Sequence, residues 1–259
     1  MRVRGLLVDL DGTLYVGDEP VEGAREAIGK LKSFGLVLRY VTNTTRKPRR
    51  EVSEHLRSLG FEVDEAEIFT PARAAVGLIG RESCLPLVDE SLLEDLAGIT
   101  PTEDHPNYVL VGDLGEDFTY GRLNAAFRCL MGGAELIALQ RNRFWRREDG
   151  LALDAGPFVA ALEYATGESA TVVGKPESGF FQRALEDLGL RSHEVAMVGD
   201  DAEADVAGAQ AAGLKGVQVK TGKYVHGAKG APDLMLDSFA ELPEMLGSEA
   251  SGFTNWLQQ

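Results

Sequence analysis

Residues 3–13 read VRGLLVDLDGT, and the predicted fold is built outward from this stretch. A short apolar run ends at two acidic residues, Asp9 and Asp11, and Gly12 and Thr13 then break the strand pattern. Side chains two positions apart on an extended segment point the same way, so the two carboxylates are expected to face one site. They repel each other unless a cation or a shared proton lies between them. The stretch alone fits a divalent-metal site and an ordinary polar turn equally well.

The composition is that of a soluble globular protein. Of the 259 residues, 44% are hydrophobic and 26% are charged, which suits one large domain or two smaller ones. No apolar run approaches the ~18 residues that span a bilayer, and the first residues do not resemble a signal peptide. We therefore expect a cytoplasmic location and no membrane partner. The net charge of −15 argues against nucleic acid as a partner.

Strand and helix patterns alternate along most of the chain. Thr70, for example, is the predicted N-cap of a helix over residues 71–79. Such alternation predicts an α/β fold, a doubly wound parallel sheet with helices on both faces. The pattern changes after Gly80 and returns at Ser169. We therefore predict a core of residues 1–79 and 169–259 with an inserted α/β domain of residues 80–168.

Four predicted strands of the core end in residues with reactive side chains. These endings are Asp9 with Asp11, Thr42 with Asn43 and Thr44, Lys175, and Asp200 with Asp201. Ligands of parallel sheets bind at the carboxyl ends of the strands. One such ending is ordinary, but four at the same edge of a sheet predict a site.

Oxygen ligands for a metal are available at these endings. The carboxylates of Asp9 and Asp200, together with the main-chain carbonyl of Asp11, suit Mg²⁺ completed by water and a substrate phosphate. Asp201 and Asp205 are expected to hold those ligands in place from a second layer. The predicted cofactor is therefore Mg²⁺.

The same residues suit phosphoryl transfer. Asp9 is the nucleophile candidate, which would form an aspartyl phosphate, and Asp11 is placed to donate and accept the proton. Lys175 and the group after the second strand supply charge and hydrogen bonds to the phosphoryl oxygens; that group is Thr42, Asn43 and Thr44. Taken singly, Lys175 also fits a surface lysine, and Thr42 also fits a helix N-cap.

Taken together, these residues resemble the four motifs of the haloacid dehalogenase superfamily, in the right order. The motifs are residues 9–13 (DLDGT), 42–43 (TN), 174–176 (GKP), and 199–201 (GDD) with Asp205. The insert resembles the larger α/β cap of the NagD-type and pyridoxal-phosphate phosphatases. Further similar stretches are residues 41–45, 149–153, 160–166 and 221–224, so the resemblance covers nearly the whole chain.

The resemblance implies a Rossmann-like core and a Mg²⁺-dependent phosphatase. It makes Asp9 the nucleophile and Asp11 the general acid and base, and the dehalogenase members lack this second aspartate. No motif position departs from the phosphatase pattern. A cap of this size implies a small phosphorylated substrate, and a homodimer through the cap is common in the family.

Arginines concentrate positive charge within the predicted cap, at Arg141, Arg143, Arg146 and Arg147. A solvated hairpin is the first interpretation, and a patch that recognises the substrate or a dimer contact is the second. Residues 153–157, with Asp154 and Gly156, lie where the family has a substrate-specificity loop. Asp154 also fits the N-cap of the following helix.

Two other functional classes stay open at this point. One is a receiver-like protein phosphorylated on aspartate, but a receiver needs only about 120 residues, the size of one domain. It has no use for an insert of about 90 residues. The other is a non-catalytic phosphate-binding or regulatory protein on the same fold. Nothing in the sequence selects one phosphorylated substrate.

Overall fold

The structure, a computed structural model, describes residues 3–147, 149–225 and 231–247. The chain divides into two compact units. Unit 1 contains the residues up to Thr42, Val52–Phe69, and the residues from Lys175 onward, and unit 2 contains Asn43–Glu51 and Thr70–Gly174. The division into a core and a cap domain stays a prediction. The compact units differ from it in that residues 43–51, 70–79 and 169–174 belong to the same unit as the predicted insert.

The strands are, in chain order, β1 (Gly5–Asp9), β2 (Tyr15–Val16), β3 (Glu19–Pro20), β4 (Val37–Val41), β5 (Ile68–Phe69), β6 (Ser83–Leu87), β7 (Thr100–Pro101), β8 (Tyr108–Val111), β9 (Glu135–Ala138), β10 (Phe144–Arg147), β11 (Gly150–Leu153), β12 (Thr171–Val172), β13 (Val195–Gly199), β14 (Lys215–Val219) and β15 (Leu234–Leu236).

The α-helices are α1 (Ala24–Ser33), α2 (Arg49–Ser58), α3 (Pro71–Ile79), α4 (Tyr120–Met131), α5 (Ala155–Thr166), α6 (Ser178–Leu188), α7 (Gly208–Ala211) and α8 (Leu242–Gly247). Short 3₁₀ segments cover Glu65–Glu67, Glu90–Leu96, Gly115–Asp117, Ser192–Glu194 and Phe239–Glu241. None of the helices within the described residues is long and apolar enough to cross a membrane.

Unit 1 is built on a six-stranded sheet with the order β15-β14-β13-β1-β4-β5. Every neighbouring pair in it is parallel. Each residue of β1 and of β13 is buried, which is the pattern of central strands covered on both faces. Leu6, Val8 and Leu31 belong to the core on one side. The carboxyl ends of β1 and β13 therefore lie side by side, with Asp9 at the end of β1.

Unit 2 has a five-stranded parallel sheet of its own, in the order β12-β9-β8-β6-β7. Its core includes Val109 and Val111 from β8, Leu136 from β9, and Val159 from α5. Strands β10 and β11 form a separate antiparallel pair, so the predicted charged hairpin exists and extends to Leu153. Parallel sheets with helices in both units confirm the predicted α/β class.

One predicted helix start agrees with the structure, and other local predictions differ from it. Thr70 caps α3 as predicted, since its side chain accepts a hydrogen bond from the backbone N of Arg73. The sequence pattern over residues 202–212 predicts a regular helix, but Ala202–Ala207 is a π-helix that passes into α7. Strand β15 was missed, since three residues are too short to show a period and it forms only by pairing with β14.

Glu194 joins the start of β13 to the N-terminal segment of unit 1. Its carboxylate accepts hydrogen bonds from the backbone N of Arg191 at 3.0 Å, Arg4 Nη1 at 2.9 Å and Arg191 Nε at 3.1 Å. These bonds lower the pKa of Glu194 to about 2. A carboxyl group whose pKa is lowered by folding stabilises the fold at pH values above its ordinary pKa of about 4.3. That stabilisation is lost as the pH falls through the pKa of the folded state.

We therefore expect Glu194→Gln to lower the free energy of unfolding at pH 7. The difference from wild type should shrink as the pH falls from about 4.3 towards the folded pKa, because the wild-type carboxylate then takes up a proton. Urea unfolding of both proteins at pH 7, 4 and 3 measures it. A difference that stays constant over this range would contradict the ionic role.

Candidate active site

Three buried carboxylates meet at the carboxyl edge of the sheet in unit 1. Asp9 ends β1, Asp200 follows β13, and Asp205 lies in the π-helix after it. One oxygen from each of the three lies within 4.8 Å of the others. Their residues are 7%, 1% and 1% exposed, in that order. Because β1 and β13 are neighbours, the parallel sheet itself brings Asp9 and Asp200 together.

Lys175 lies between two of these carboxylates and is itself buried. Its Nζ donates hydrogen bonds to Asp9 Oδ1 at 2.5 Å and to Asp205 Oδ1 at 2.6 Å. Burial alone would lower the pKa of Lys175, but Asp205 and Asp9 outweigh it and raise that pKa above its usual value. Lys175 is therefore a cation in the folded chain.

A single lysine does not balance three buried carboxylates. Burial raises the pKa of Asp9, and the charge of Asp200 adds to the effect. Burial raises the pKa of Asp200 as well. It also raises the pKa of Asp205 to about 7, with the charge of Asp9 contributing. A divalent cation would remove this excess negative charge, and an all-oxygen donor set is the one that hard cations bind. The residues present therefore fit the predicted kind of metal.

Asp201 holds Asp205 in place. Its side chain caps the π-helix by accepting hydrogen bonds from the backbone N of Glu203 and Ala204, both at 2.9 Å. Its own backbone N donates to Asp205 Oδ2 at 3.2 Å. A Cβ at position 199 would overlap the Asp205 carboxylate, so glycine is required there. Asp201 thus holds Asp205, whose carboxylate lies beside those of Asp9 and Asp200. The supporting role predicted for Asp201 and Asp205 stays a prediction.

Asp11 and Thr42 lie at the ends of neighbouring strands of the same sheet. The carboxylate of Asp11 does not join the three-carboxylate cluster, and Asp11 is exposed. Thr42 follows β4, and its backbone N donates to the carbonyl oxygen of Phe69 at 3.3 Å. Exposure suits Asp11 for exchanging protons with water and substrate, the role predicted for it.

The remaining predicted site residues belong to unit 2, where Asn43 and Thr44 begin the segment Asn43–Glu51. In that unit Arg141 pairs with Glu163 at 2.7 Å, and Arg143 is exposed. The side chains of Arg146 and Arg147 lie outside the described residues.

Asp154 and Gly156 shape the start of α5 in unit 2. The buried Asp154 accepts a hydrogen bond from the backbone N of Ala155 at 2.7 Å, which confirms the predicted N-cap. A Cβ at position 156 would overlap the carbonyl oxygens of Arg141 and Asn142. The start of α5 therefore packs directly on the arginine segment.

Two features escaped the sequence reasoning. In unit 2, Arg46 Nε lies 3.6 Å from Asp113 Oδ2, and the guanidinium lies 5.3 Å from the ring centre of Trp145. In unit 1, the turn after β14 reaches the Asp200 carboxylate through Lys223. The sequence signal for this turn is Gly222, which follows Thr221. Strand β14, just before it, is a further strand of the unit 1 sheet that ends at the same edge as β1 and β13.

The chain matches sequence models of known families over two stretches. A model described as haloacid dehalogenase-like hydrolase matches residues 6–99, and one described as HAD-hydrolase-like matches residues 172–242. Haloacid dehalogenase-like hydrolase domain-containing protein 2 of Bos taurus is 48% identical over 224 residues, which covers 86% of each chain. The chain belongs to the haloacid dehalogenase-like hydrolases. Family membership confirms the predicted resemblance and the prediction of a hydrolase.

Named phosphatases are among the similar proteins. The phospholysine phosphohistidine inorganic pyrophosphate phosphatase of Danio rerio is 40% identical over 247 residues, covering 92% of this chain and 91% of its own. The solved p-nitrophenyl phosphatase from Archaeoglobus fulgidus superimposes with a TM-score of 0.86 at 30% identity, covering 94% of this chain and 99% of its own. This haloacid dehalogenase-like hydrolase therefore shares the fold of a phosphatase over nearly its whole length.

Proposed function

We propose that this hydrolase is a Mg²⁺-dependent phosphatase that acts on a small phosphorylated metabolite through an aspartyl phosphate on Asp9. The observation that carries the proposal is the buried cluster of Asp9, Asp200 and Asp205 around Lys175. Phosphatases among the relatives and structural neighbours support the reaction class.

Asp9, Asp200 and the main-chain carbonyl of Asp11 would hold the cation. When bound, Mg²⁺ supplies positive charge that draws a phosphate towards the carboxylates and offsets charge on its oxygens. This local charge matters because the chain as a whole carries −15.

In the first half of the reaction, an oxygen of the Asp9 carboxylate attacks phosphorus. A new bond forms between that oxygen and phosphorus, and the bond from phosphorus to the leaving oxygen breaks. Lys175, bound to Asp9 Oδ1, holds the carboxylate in one orientation. Asp11 gives its proton to the leaving oxygen.

In the second half, Asp11 takes a proton from water, and the water oxygen attacks phosphorus. The bond between Asp9 and phosphorus then breaks, which releases inorganic phosphate and restores Asp9. Lys175, Thr42, Asn43 and Thr44 are proposed to supply charge and hydrogen bonds to the phosphoryl oxygens, as the resemblance implies.

Phosphate release from a panel of small phosphorylated metabolites tests the proposal. We expect release with Mg²⁺, its loss on adding a chelator, and its return when Mg²⁺ is restored. Saturable phosphate binding without release would instead favour a non-catalytic protein. A stable phosphorylated aspartate would favour a receiver-like role.

Substrate selection is proposed to depend on unit 2. Arg143 is exposed, whereas Arg141 is engaged with Glu163, so Arg143 is the better candidate for contacting a substrate. We expect Arg143→Ala to change KM, and the ranking of substrates by KM, more than it changes kcat. A contact far from the reacting bond stabilises the bound substrate and the transition state equally. Arg183→Ala, at a partly exposed arginine in α6 of unit 1, is the control. An unchanged KM ranking would assign Arg143 to solvent or to an oligomer contact.

The remaining predictions about partners and location rest on the sequence. A cytoplasmic location and the exclusion of nucleic acid and membranes rest on charge and hydropathy. A homodimer through the cap rests on the resemblance. Size-exclusion chromatography with light scattering tests the dimer.

A further inference from the structure

The loop after β14 in unit 1 contacts the carboxylate cluster directly. The backbone N of Lys223 donates to Asp200 Oδ2 at 2.5 Å. The hydroxyl of Thr221 donates to the carbonyl oxygen of Gly12, next to Asp11. The backbone N of Tyr224 donates to the carbonyl oxygen of Thr221 at 3.2 Å and closes the turn. We call residues 221–223 the clamp turn.

The middle residue of the clamp turn has to be glycine for two reasons. Gly222 has φ +59, in the left-handed region that residues with a Cβ rarely adopt. A Cβ at this position would also overlap the Asp200 carboxylate and the backbone of Gly12. The positive φ and the missing Cβ of Gly222 therefore allow the turn to pack directly against Asp200.

Strand β14, which precedes the clamp turn, holds the main chain of Asp200 as well. Gln218 in β14 is 3% exposed, and its Nε2 donates to the carbonyl oxygen of Asp200 at 3.1 Å. Strand β14 and its loop thus hold both the main chain and the carboxylate of this residue. Both contacts are donated by residues outside the four motifs, Gln218 and Lys223.

We propose that the clamp turn positions the Asp200 carboxylate for cation binding, and positions the backbone beside Asp11 through Gly12. The inference rests on the proposed function, which assigns Mg²⁺ to this cluster. A carboxylate turns about its Cβ–Cγ bond, and a hydrogen bond to Oδ2 restricts that rotation, so Oδ1 is presented in one orientation. Thr221, Gly222 and Lys223 are positioning residues in this role, and Lys223 acts through its backbone N.

Calorimetric titration of the metal-free full-length chain with Mg²⁺, without substrate, tests the clamp turn. We expect Thr221→Val and Gly222→Ala to weaken Mg²⁺ binding by about 10-fold or more, as is typical when groups that orient metal ligands are lost. Thr221→Ser keeps the hydroxyl and should bind nearly as wild type does. Gly35→Ala is the matched control, since Gly35 has φ +79 with open space around it.

The outcomes separate this inference from the proposed function. The proposed role of the clamp turn would be overturned if Thr221→Val bound Mg²⁺ as tightly as wild type does. It would also be overturned if Thr221→Val and Thr221→Ser lost the same amount of Mg²⁺ affinity. A wild-type chain that binds no Mg²⁺ would overturn it too. A wild-type chain that binds Mg²⁺ without releasing phosphate contradicts only the proposed function. Thermal unfolding without metal shows whether Gly222→Ala folds, and Thr221→Val carries the test if it does not.

Discussion

Asp9→Asn should reduce phosphatase turnover by about 10⁴-fold or more, the scale seen when a covalent nucleophile is removed. The neutral amide has no charged oxygen to attack phosphorus, so the aspartyl phosphate cannot form. Asparagine keeps the shape of the side chain and one oxygen that can accept from Lys175 Nζ, which lies 2.5 Å from Asp9 Oδ1. The buried site should therefore keep its packing. Steady-state phosphate release and circular dichroism measure the two effects.

Two further variants serve as controls for the Asp9→Asn result. Asp9→Ala excludes slow conversion of asparagine back to aspartate as the source of any residual rate. Asp104→Asn makes the same chemical change at an exposed position of unit 2 and should leave kcat unchanged. Turnover within a few-fold of wild type in both Asp9 variants would assign the nucleophile to another residue. Burst-phase formation of a phosphorylated chain, present in wild type and absent in Asp9→Asn, would identify the intermediate.

Lys175→Met should damage both stability and turnover. Removing one partner of a buried ion pair leaves uncompensated charge, which costs about 3–5 kcal/mol of unfolding free energy. Here the remaining charges are those of Asp9 and Asp205, both bonded to Nζ. Losing a preorganised charge from the site should also reduce kcat by about 10²–10³-fold. Urea unfolding and steady-state kinetics measure the two losses.

Double substitution separates charge from packing at this site. In the Lys175→Met background, Asp205→Asn removes one of the carboxylates left without its cation. The double variant should therefore lose less stability than the sum of the single variants, by about 1 kcal/mol or more. Lys215→Met is the control, because Lys215 pairs with Asp233 in a partly exposed position, where a pair contributes only about 0–1 kcal/mol. Strict additivity would mean that Lys175 acts through packing alone.

The sequence was informative wherever function depends on the ends of parallel strands. Asp9, Lys175, Asp200 and Asp205 all fall in or beside the predicted motifs, and the structure brings them into one buried cluster. Strand endings reveal such a site because parallel strands present their carboxyl ends at one edge. The fold class followed from alternating strand and helix periods, which are local properties of the chain.

Roles that depend on three-dimensional contacts did not follow from the sequence. Asp205 is predicted to support the metal ligands, and that role stays a prediction. Only the structure shows that its carboxylate accepts a hydrogen bond from Lys175 within the cluster. The helix after Asp201 was expected to be regular, but it is a π-helix that carries Asp205. The glycine-rich composition of the loop after β14 predicts a flexible segment. Its first residues instead form the clamp turn on Asp200, while residues 226–230 lie outside the described residues.

The sequence by itself determined the alternation that makes this an α/β chain, and it determined which acidic and basic side chains end the strands. These follow from periodicity and from residue chemistry, which need no knowledge of distant contacts. The tertiary structure alone decided that Lys175 lies between Asp9 and Asp205, and that Gly222 lies against Asp200. Strand order brings together residues that lie far apart along the chain, and burial then makes their charges interact strongly.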